Sequence, residues 1–332
     1  MHQWKAEMEQ LKPKVLITGA DGFVGRHLAA FLVEQARAEV LGLDLGKPRH
    51  AEPWERCDFG VCDILDRSLI FSYVEDFRPD YVFHLAAQSS VSHSWEDPEL
   101  TYRIALTGQG NLLDAIRDEA GDAVVQIACS AEEYGRVGEE DLPVSEDHPL
   151  RPANPYALSK VMQDYHGIFC QQAYGTKVII TRAFNMTGPG QSPSFVVSDF
   201  ARQIAEAEAG MREPVIRVGN LEARRDFSDV RDLVEVYWAL VQKGRPGEAY
   251  NVCGGVDYSI QEILDELLSQ SEIDIKIESD PARMRKTDIP VLRGDNGKLR
   301  KLLGSTPAFS LKNTLRDVLD WWRTEVVKGG GN

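Results

Sequence analysis

The chain is poor in positive charge. Its 332 residues carry 37 Lys and Arg against 52 Asp and Glu, a formal net charge of −15, and such a field repels nucleic-acid backbones and anionic lipid. No nucleic-acid partner and no membrane surface are expected. Long apolar runs are also missing. None approaches the roughly 18 residues that span a bilayer, and residues 1–10 hold no apolar signal-peptide core, so a cytoplasmic protein is expected. The cysteines, Cys57, Cys62, Cys129, Cys170 and Cys253, are scattered, odd in number and without a C-x-x-C pair; reduced thiols are expected. None of the seven histidines has the i, i+4 spacing beside a carboxylate that a metal site requires, and no metal is expected. What is present is an ordinary globular composition, 43% apolar and 27% charged, sufficient for a buried core and incompatible with a disordered chain.

From Lys14 onward, short β-branched runs alternate with amphipathic stretches of helical length. Strands are expected at Val15–Thr18, Val40–Asp44, a short third segment before Asp63, Tyr81–His84, Val124–Ala128 and Val178–Arg182. Helices are expected at Val24–Gln35, Ser68–Asp76, Leu100–Glu119 and Tyr156–Gln172. This order predicts an α/β fold, a Rossmann-type doubly wound parallel sheet whose strand ends line one ligand-binding edge. After Arg182 the texture turns to Gly, Pro and Ser and then to helices near Phe195–Ala209, Ile260–Gln270, Asn296–Leu303 and Leu311–Val327. Residues 1–13 read as an N-terminal extension and 14–182 as a dinucleotide-binding domain to which 229–255 return. Residues 183–228 and 256–328 read as a smaller C-terminal α/β substrate lobe.

The segment Thr18-Gly19-Ala20-Asp21-Gly22-Phe23-Val24-Gly25 follows the first strand and opens the first helix. Glycines there let the backbone turn and approach a pyrophosphate, whose charge meets free N–H groups and the positive end of the helix dipole. A bare tight turn is the competing reading, and the strand–helix context disfavours it. Asp44 ends the second strand 19 residues after Gly25. Its carboxylate can accept both adenosine ribose hydroxyls and would repel a 2′-phosphate, so NAD(H) is expected over NADP(H), a preference that Lys47 and Arg49 weaken. Asp63 and Ile64 are candidates for the adenine edge, and Leu85, Ala86 and Ala87 for the inner cofactor path.

Tyr156 and Lys160 lie four apart at the start of a helix and project from one face. An ammonium beside the phenol is expected to lower its pKa and make Tyr156 a usable proton donor or acceptor. Ser130, ending the fifth strand, can aim its hydroxyl at the same carbonyl oxygen. By itself a Tyr/Lys pair at this spacing is more often a surface face; the glycine loop and the strand-end serine give it weight.

With T-G-x-x-G-x-x-G, a strand-end serine and Y-x-x-x-K in this order, the chain resembles the extended short-chain dehydrogenase/reductase superfamily from about Lys14 to Val327. The resemblance implies a nucleotide-sugar enzyme in which Tyr156 exchanges a proton at the sugar oxygen, Lys160 holds the nicotinamide ribose and Ser130 fixes the carbonyl. Cys129-Ser130-Ala131-Glu132-Glu133-Tyr134-Gly135 aligns with the segment where sugar 4,6-dehydratases place a hydroxyl residue, an acid or serine, and then a glutamate. Ala131 lacks the acid, and Glu132 retains the glutamate. Arg182-Ala183-Phe184-Asn185-Met186-Thr187-Gly188-Pro189-Gly190-Gln191 is similar to GDP-4-keto-6-deoxy-D-mannose reductases, which form GDP-D-rhamnose, although these usually carry histidine at the position of Met186. Ala105 replaces an asparagine common in the superfamily.

The resemblance further implies a GDP-sugar substrate held by Asn185, Arg225, Arg285 and Asp288, with Arg225 and Arg285 on the diphosphate and Asp288 on ribose or guanine; Phe195 and Val196 read equally as flanks of the nucleotide base and as a packed helix start. Arg224 and Arg283 read better as surface salt-bridge residues. A homodimer through the 100–119 and 156–172 helices is expected. A sugar-nucleotide 4-epimerase, a GDP-mannose 4,6-dehydratase and a catalytically silent dinucleotide sensor are the alternative readings.

Overall fold

The computed structural model describes residues 12–284, 289–304 and 309–329. In chain order the first elements are β1 (Lys14–Thr18), α1 (Phe23–Glu34), β2 (Glu39–Asp44), β3 (Asp58–Val61), α2 (Arg67–Phe77) and β4 (Tyr81–His84). They are followed by α3 (Val91–Glu96), α4 (Pro98–Arg103), a π-helical stretch at Ile104–Gly108, α5 (Gln109–Glu119), β5 (Val124–Ser130), a 3-10 turn at Ala131–Tyr134, α6 (Pro155–Tyr174) and β6 (Lys177–Ala183). Then come β7 (Asn185–Thr187), α7 (Val196–Glu208), β8 (Val215–Val218), β9 (Arg224–Asp229), α8 (Val230–Lys243) and β10 (Ala249–Val252). The chain ends with β11 (Asp257–Ser259), α9 (Ile260–Leu268), β12 (Lys276–Ser279), β13 (Val291–Leu292), α10 (Gly297–Leu303) and α11 (Leu311–Gly329).

A seven-stranded sheet runs in the order β10-β6-β5-β4-β1-β2-β3, and β1 pairs in parallel with both β2 and β4. The central position of β1 explains its unbroken apolar run: Val15, Leu16 and Ile17 are all fully buried, as expected for a parallel strand covered on both faces. The doubly wound parallel sheet read from the sequence is the fold observed.

The helix expected over Leu100–Glu119 is present from Pro98 onward, with a π-helical stretch at Ile104–Gly108 inside it, and the sequence pattern gives no sign of α3 before it. Asp97 caps α4 by accepting from the Leu100 N–H at 2.9 Å, and Pro98 occupies the first helical position, where its missing N–H costs nothing. The π-helical stretch then brings Gly108 so close to Ile64 that an added Cβ would lie 2.6 Å from its Cγ2. Ala105 is buried in this same stretch.

The described residues fold as two compact units, those within 1–128, 162–180 and 240–248 in the first, and those within 129–161, 181–239 and 249–332 in the second. In the second unit β9 forms a small sheet with β11 and β13, and β7 also pairs with it in parallel. A parallel β8–β12 pair lies apart from that sheet. The arginine-rich segment at 224–225 thus belongs to a strand, not to a loop. Apolar faces of α7, α9 and α11 meet in one cluster containing Phe200, Ile204, Leu264, Leu267, Val318 and Leu319. Asp226 ties β9 to its surroundings: its buried carboxylate accepts from the N–H groups of Gly254 and Gly255 at 2.8 Å and of Gly294 at 3.3 Å. Burial pushes this carboxyl up to about 6 against the pull of those three donors.

Candidate active site

In the first unit, the carboxyl ends of β1, β2, β3 and β4 lead into predicted cofactor residues. Gly19 has φ of 69°, and a Cβ there would lie 2.7 Å from the Ala86 nitrogen and 2.9 Å from the carbonyl carbon of Leu85. Only glycine satisfies both the left-handed backbone and that approach. A Cβ on Gly25 would stand 2.4 Å from the Ala20 carbonyl oxygen, so the third glycine lets α1 pack against the turn. Gly22 caps α1 without a side-chain hydrogen bond, and no acid occupies the first turn. The N–H groups at Phe23 and Val24 therefore belong to a helix end of positive potential suited to a diphosphate. These features fit a dinucleotide: the cradle is one that any Cβ would fill.

Asp44 accepts from the Asp21 N–H at 2.8 Å and from the Leu45 N–H at 2.7 Å, one on each carboxylate oxygen. Each oxygen keeps a second acceptor site, enough for ribose hydroxyls. Arg49 is anchored to the loop, donating through Nε to Asp21 Oδ2 at 2.8 Å and through Nη2 to the Asp21 carbonyl at 2.9 Å. Asp63 accepts from the Leu65 N–H at 2.9 Å in a local turn. The Ile64 carbonyl takes Asn111 Nδ2 at 3.1 Å. Ala87 follows Ala86 in a half-buried segment after β4, where the Ala86 N–H donates to Thr18 Oγ1 at 3.4 Å.

The second unit holds the predicted catalytic residues. Ser130 ends β5 and caps the 3-10 turn in a reciprocal arrangement: its Oγ accepts from the Glu132 N–H at 3.2 Å, and its own N–H donates to Glu133 Oε1 at 3.0 Å. Asn154 starts α6, accepting from the Ala157 N–H at 2.7 Å and donating through Nδ2 to Glu132 Oε2 at 3.2 Å. Two residues on, Tyr156 shares a hydrogen bond with Ser130, and Lys160 is buried on the same helix.

The expectation that Lys160 lowers the Tyr156 pKa is overturned. Burial pushes the phenol well above its ordinary range; the Ser130 hydrogen bond pulls it down, while Glu132 and Glu133 push it further up. Burial lowers Lys160, opposed by Cys129 and Glu133. Desolvation is the largest influence at both groups, and the result is a tyrosine that holds its proton. Glu133, Arg182 and Asn154 were missed by sequence reasoning. An Asn-Pro pair is a recognisable helix-start signal for Asn154, whereas nothing in the letters marks Glu133 as buried.

The substrate candidates also fall in the second unit. Asn185 opens β7 with an exposed side chain, and Val196 packs against the α7–α9–α11 cluster. Arg225 is buried in β9 and donates through Nη1 to the Arg224 carbonyl at 2.8 Å. Arg224 is engaged by Asp257 and Glu262, and Arg283 by Asp199 and Asp280, the salt-bridge roles expected of both. Arg285 and Asp288 lie outside the described residues.

The family model for GDP-mannose 4,6 dehydratase matches residues 16–318. A GDP-6-deoxy-D-mannose reductase from Pseudomonas aeruginosa is 34% identical over 313 residues, covering 94% of this chain and 98% of the relative. GDP-mannose 4,6 dehydratase 1 from Arabidopsis thaliana is 28% identical, covering 93% of this chain and 90% of the relative. Among solved structures, RMD from Pseudomonas aeruginosa complexed with NADPH superposes with a TM-score of 0.81 at 32% identity, covering 95% of this chain and 100% of that one.

Proposed function

The chain belongs to the GDP-mannose 4,6-dehydratase family, and we propose that within it the protein is a reductase, converting the C4 ketone of GDP-4-keto-6-deoxy-D-mannose to the alcohol of GDP-D-rhamnose. The observation that carries this reading is Ala131, a buried methyl at the position where dehydration requires an acid, beside an intact Ser130, Tyr156 and Lys160. The likeness to a GDP-6-deoxy-D-mannose reductase over nearly the whole chain supports it.

Gly19, Gly22, Gly25 and the first turn of α1 hold the cofactor diphosphate, and Asp44 the adenosine ribose. NAD(P)H, when bound, supplies the hydride. Ser130 donates a hydrogen bond to the ketone oxygen, and Tyr156 gives it a proton as negative charge develops there. Lys160 orients the nicotinamide ribose and offsets the alkoxide charge. Arg225 meets the GDP diphosphate, and Asn185 the sugar. The reaction belongs in the cytoplasm, in keeping with five free cysteines. The second copy of a homodimer is taken up by the 100–119 and 156–172 helices, where Leu100, Leu106, Tyr165 and Phe169 are exposed.

The test supplies purified protein with NADH or NADPH and enzymatically prepared GDP-4-keto-6-deoxy-D-mannose, following cofactor absorbance and the product sugar. Stoichiometric oxidation with formation of GDP-D-rhamnose is expected; no cofactor consumption overturns the reading. Glu132, latched by Asn154, favours a second reading as a GDP-mannose 4,6-dehydratase. Conversion of GDP-mannose itself without added reductant would establish that activity instead.

A further inference from the structure

Glu133 takes no part in the reaction above, yet its side chain is 0% exposed. Burying a carboxylate is costly, and replacing a buried ion pair by apolar groups of similar volume is often neutral or stabilising. A charge kept in such a place therefore needs a reason other than packing. Its surroundings supply one. Oε1 accepts the Ser130 N–H at 3.0 Å, which fixes the residue whose hydroxyl reaches Tyr156. Oε2 lies 3.6 Å from Arg182 Nε on β6, in a pair with almost no solvent access. Arg182 is in turn immobilised, donating through Nη1 to the Glu146 carbonyl at 2.9 Å and to Tyr134 Oη at 3.2 Å. The Tyr134 hydroxyl donates to Asn251 Oδ1 at 2.6 Å, so the pair rests on a buried polar scaffold.

The ionisable groups around it are Cys129 on β5, Glu132 and Tyr134 on the 3-10 turn, Glu146, Arg182 on β6, and Tyr156 and Lys160 on α6, with Asp164 one turn further along that helix. The negative charge of Glu133 favours the protonated forms of both Tyr156 and Lys160.

We propose that Glu133 is a positioning residue of the site: its hold on the backbone sets the Ser130 hydroxyl, and its buried charge favours the protonated forms of Tyr156 and Lys160. The inference rests on the reductase reading for its kinetic expression.

Glu133→Gln keeps an acceptor for the Ser130 N–H and removes the charge, leaving the Arg182 cation. The alkaline limb of kcat/KM for ketone reduction is expected to move to lower pH by about half a unit or more. Arg182→Gln should move it to higher pH, and the double variant back toward the parent. Without substrate, the phenolate absorbance of each background minus its Tyr156→Phe counterpart should begin to rise at lower pH in Glu133→Gln. A uniform loss of activity with unmoved limb and unmoved phenolate onset overturns the proposal. If Glu133→Gln does not fold, Arg182→Gln decides by the sign of its shift. If the parent consumes no cofactor with this ketone, the reductase reading fails, and the phenolate titration still decides the role of Glu133.

Discussion

At the end of β1 the recognising groups are main-chain N–H groups and absent Cβ atoms; around Ser130 they are side chains whose charge states are set by burial. The first arrangement tolerates almost no added atom. The second tolerates many shapes and few changes of charge. The glycine turn is held by sterics that act at ångström range, whereas the Ser130–Tyr156–Lys160 cluster is held by electrostatics that reach across several residues in a medium of low polarity. Substitutions in the two regions should accordingly fail in different measurements.

The largest loss is expected at Gly25→Val, whose branched side chain would meet the Ala20 carbonyl oxygen, already 2.4 Å from a bare Cβ. Dinucleotide binding followed by fluorescence should vanish, with a lowered Tm; binding at parental strength would show that the turn yields. Tyr156→Phe should leave cofactor affinity unchanged while kcat falls by about 10²–10⁴-fold, the usual worth of a positioned acid. Turnover at the parental rate would mean that another group delivers the proton.

Asp44→Asn probes the border of the first region. Removing its charge near the anchored Arg49 should shift the NADPH-to-NADH ratio of kcat/KM toward NADPH by about tenfold, one charge interaction of ~1.4 kcal/mol, with no movement of the pH limbs. A moved limb would couple the regions that the comparison separates.

The last effect concerns stability, confined to one pH window. Burial holds Asp226 at about 6 in the folded chain, above the ordinary aspartate value of 3.8, so the folded state binds this proton more tightly than the unfolded state. The resulting stabilisation is full below about pH 4 and is lost as pH rises through about 6, a change of at most ~3 kcal/mol. Asp226→Asn, neutral throughout, should flatten that fall in thermal unfolding measured from pH 4 to 7.

The same contrast governs what the letters reveal. Gly19, Gly22 and Gly25 stand for a backbone requirement, and Val15, Leu16 and Ile17 for a strand covered on both faces, so the loop, the sheet and their order are legible. Tyr156 and Lys160 are legible as a spacing, but the direction of the Tyr156 shift is not. Proximity of an ammonium can be read from i, i+4, while desolvation depends on what the rest of the chain brings near. Glu133 is hidden for the same reason, as one of two adjacent acids of which only folding distinguishes the buried member. The helix start at Asp97-Pro98 is present in the sequence as a cap and a proline, two residues before the expected Leu100, whereas the π-helical stretch at Ile104–Gly108 leaves no mark in the apolar periodicity.

Asn154 holds α6 and Glu132 with opposite ends of one amide: the oxygen receives the helix N–H, and the nitrogen gives to the carboxylate. Asparagine, aspartate and serine ordinarily interchange at helix starts with little consequence. Here that synonymy is broken. Aspartate would set two carboxylates against each other, and serine would be too short to reach both partners. The acid latched this way has a mechanical use besides any chemistry it performs, bracing the start of the helix that carries Tyr156 and Lys160.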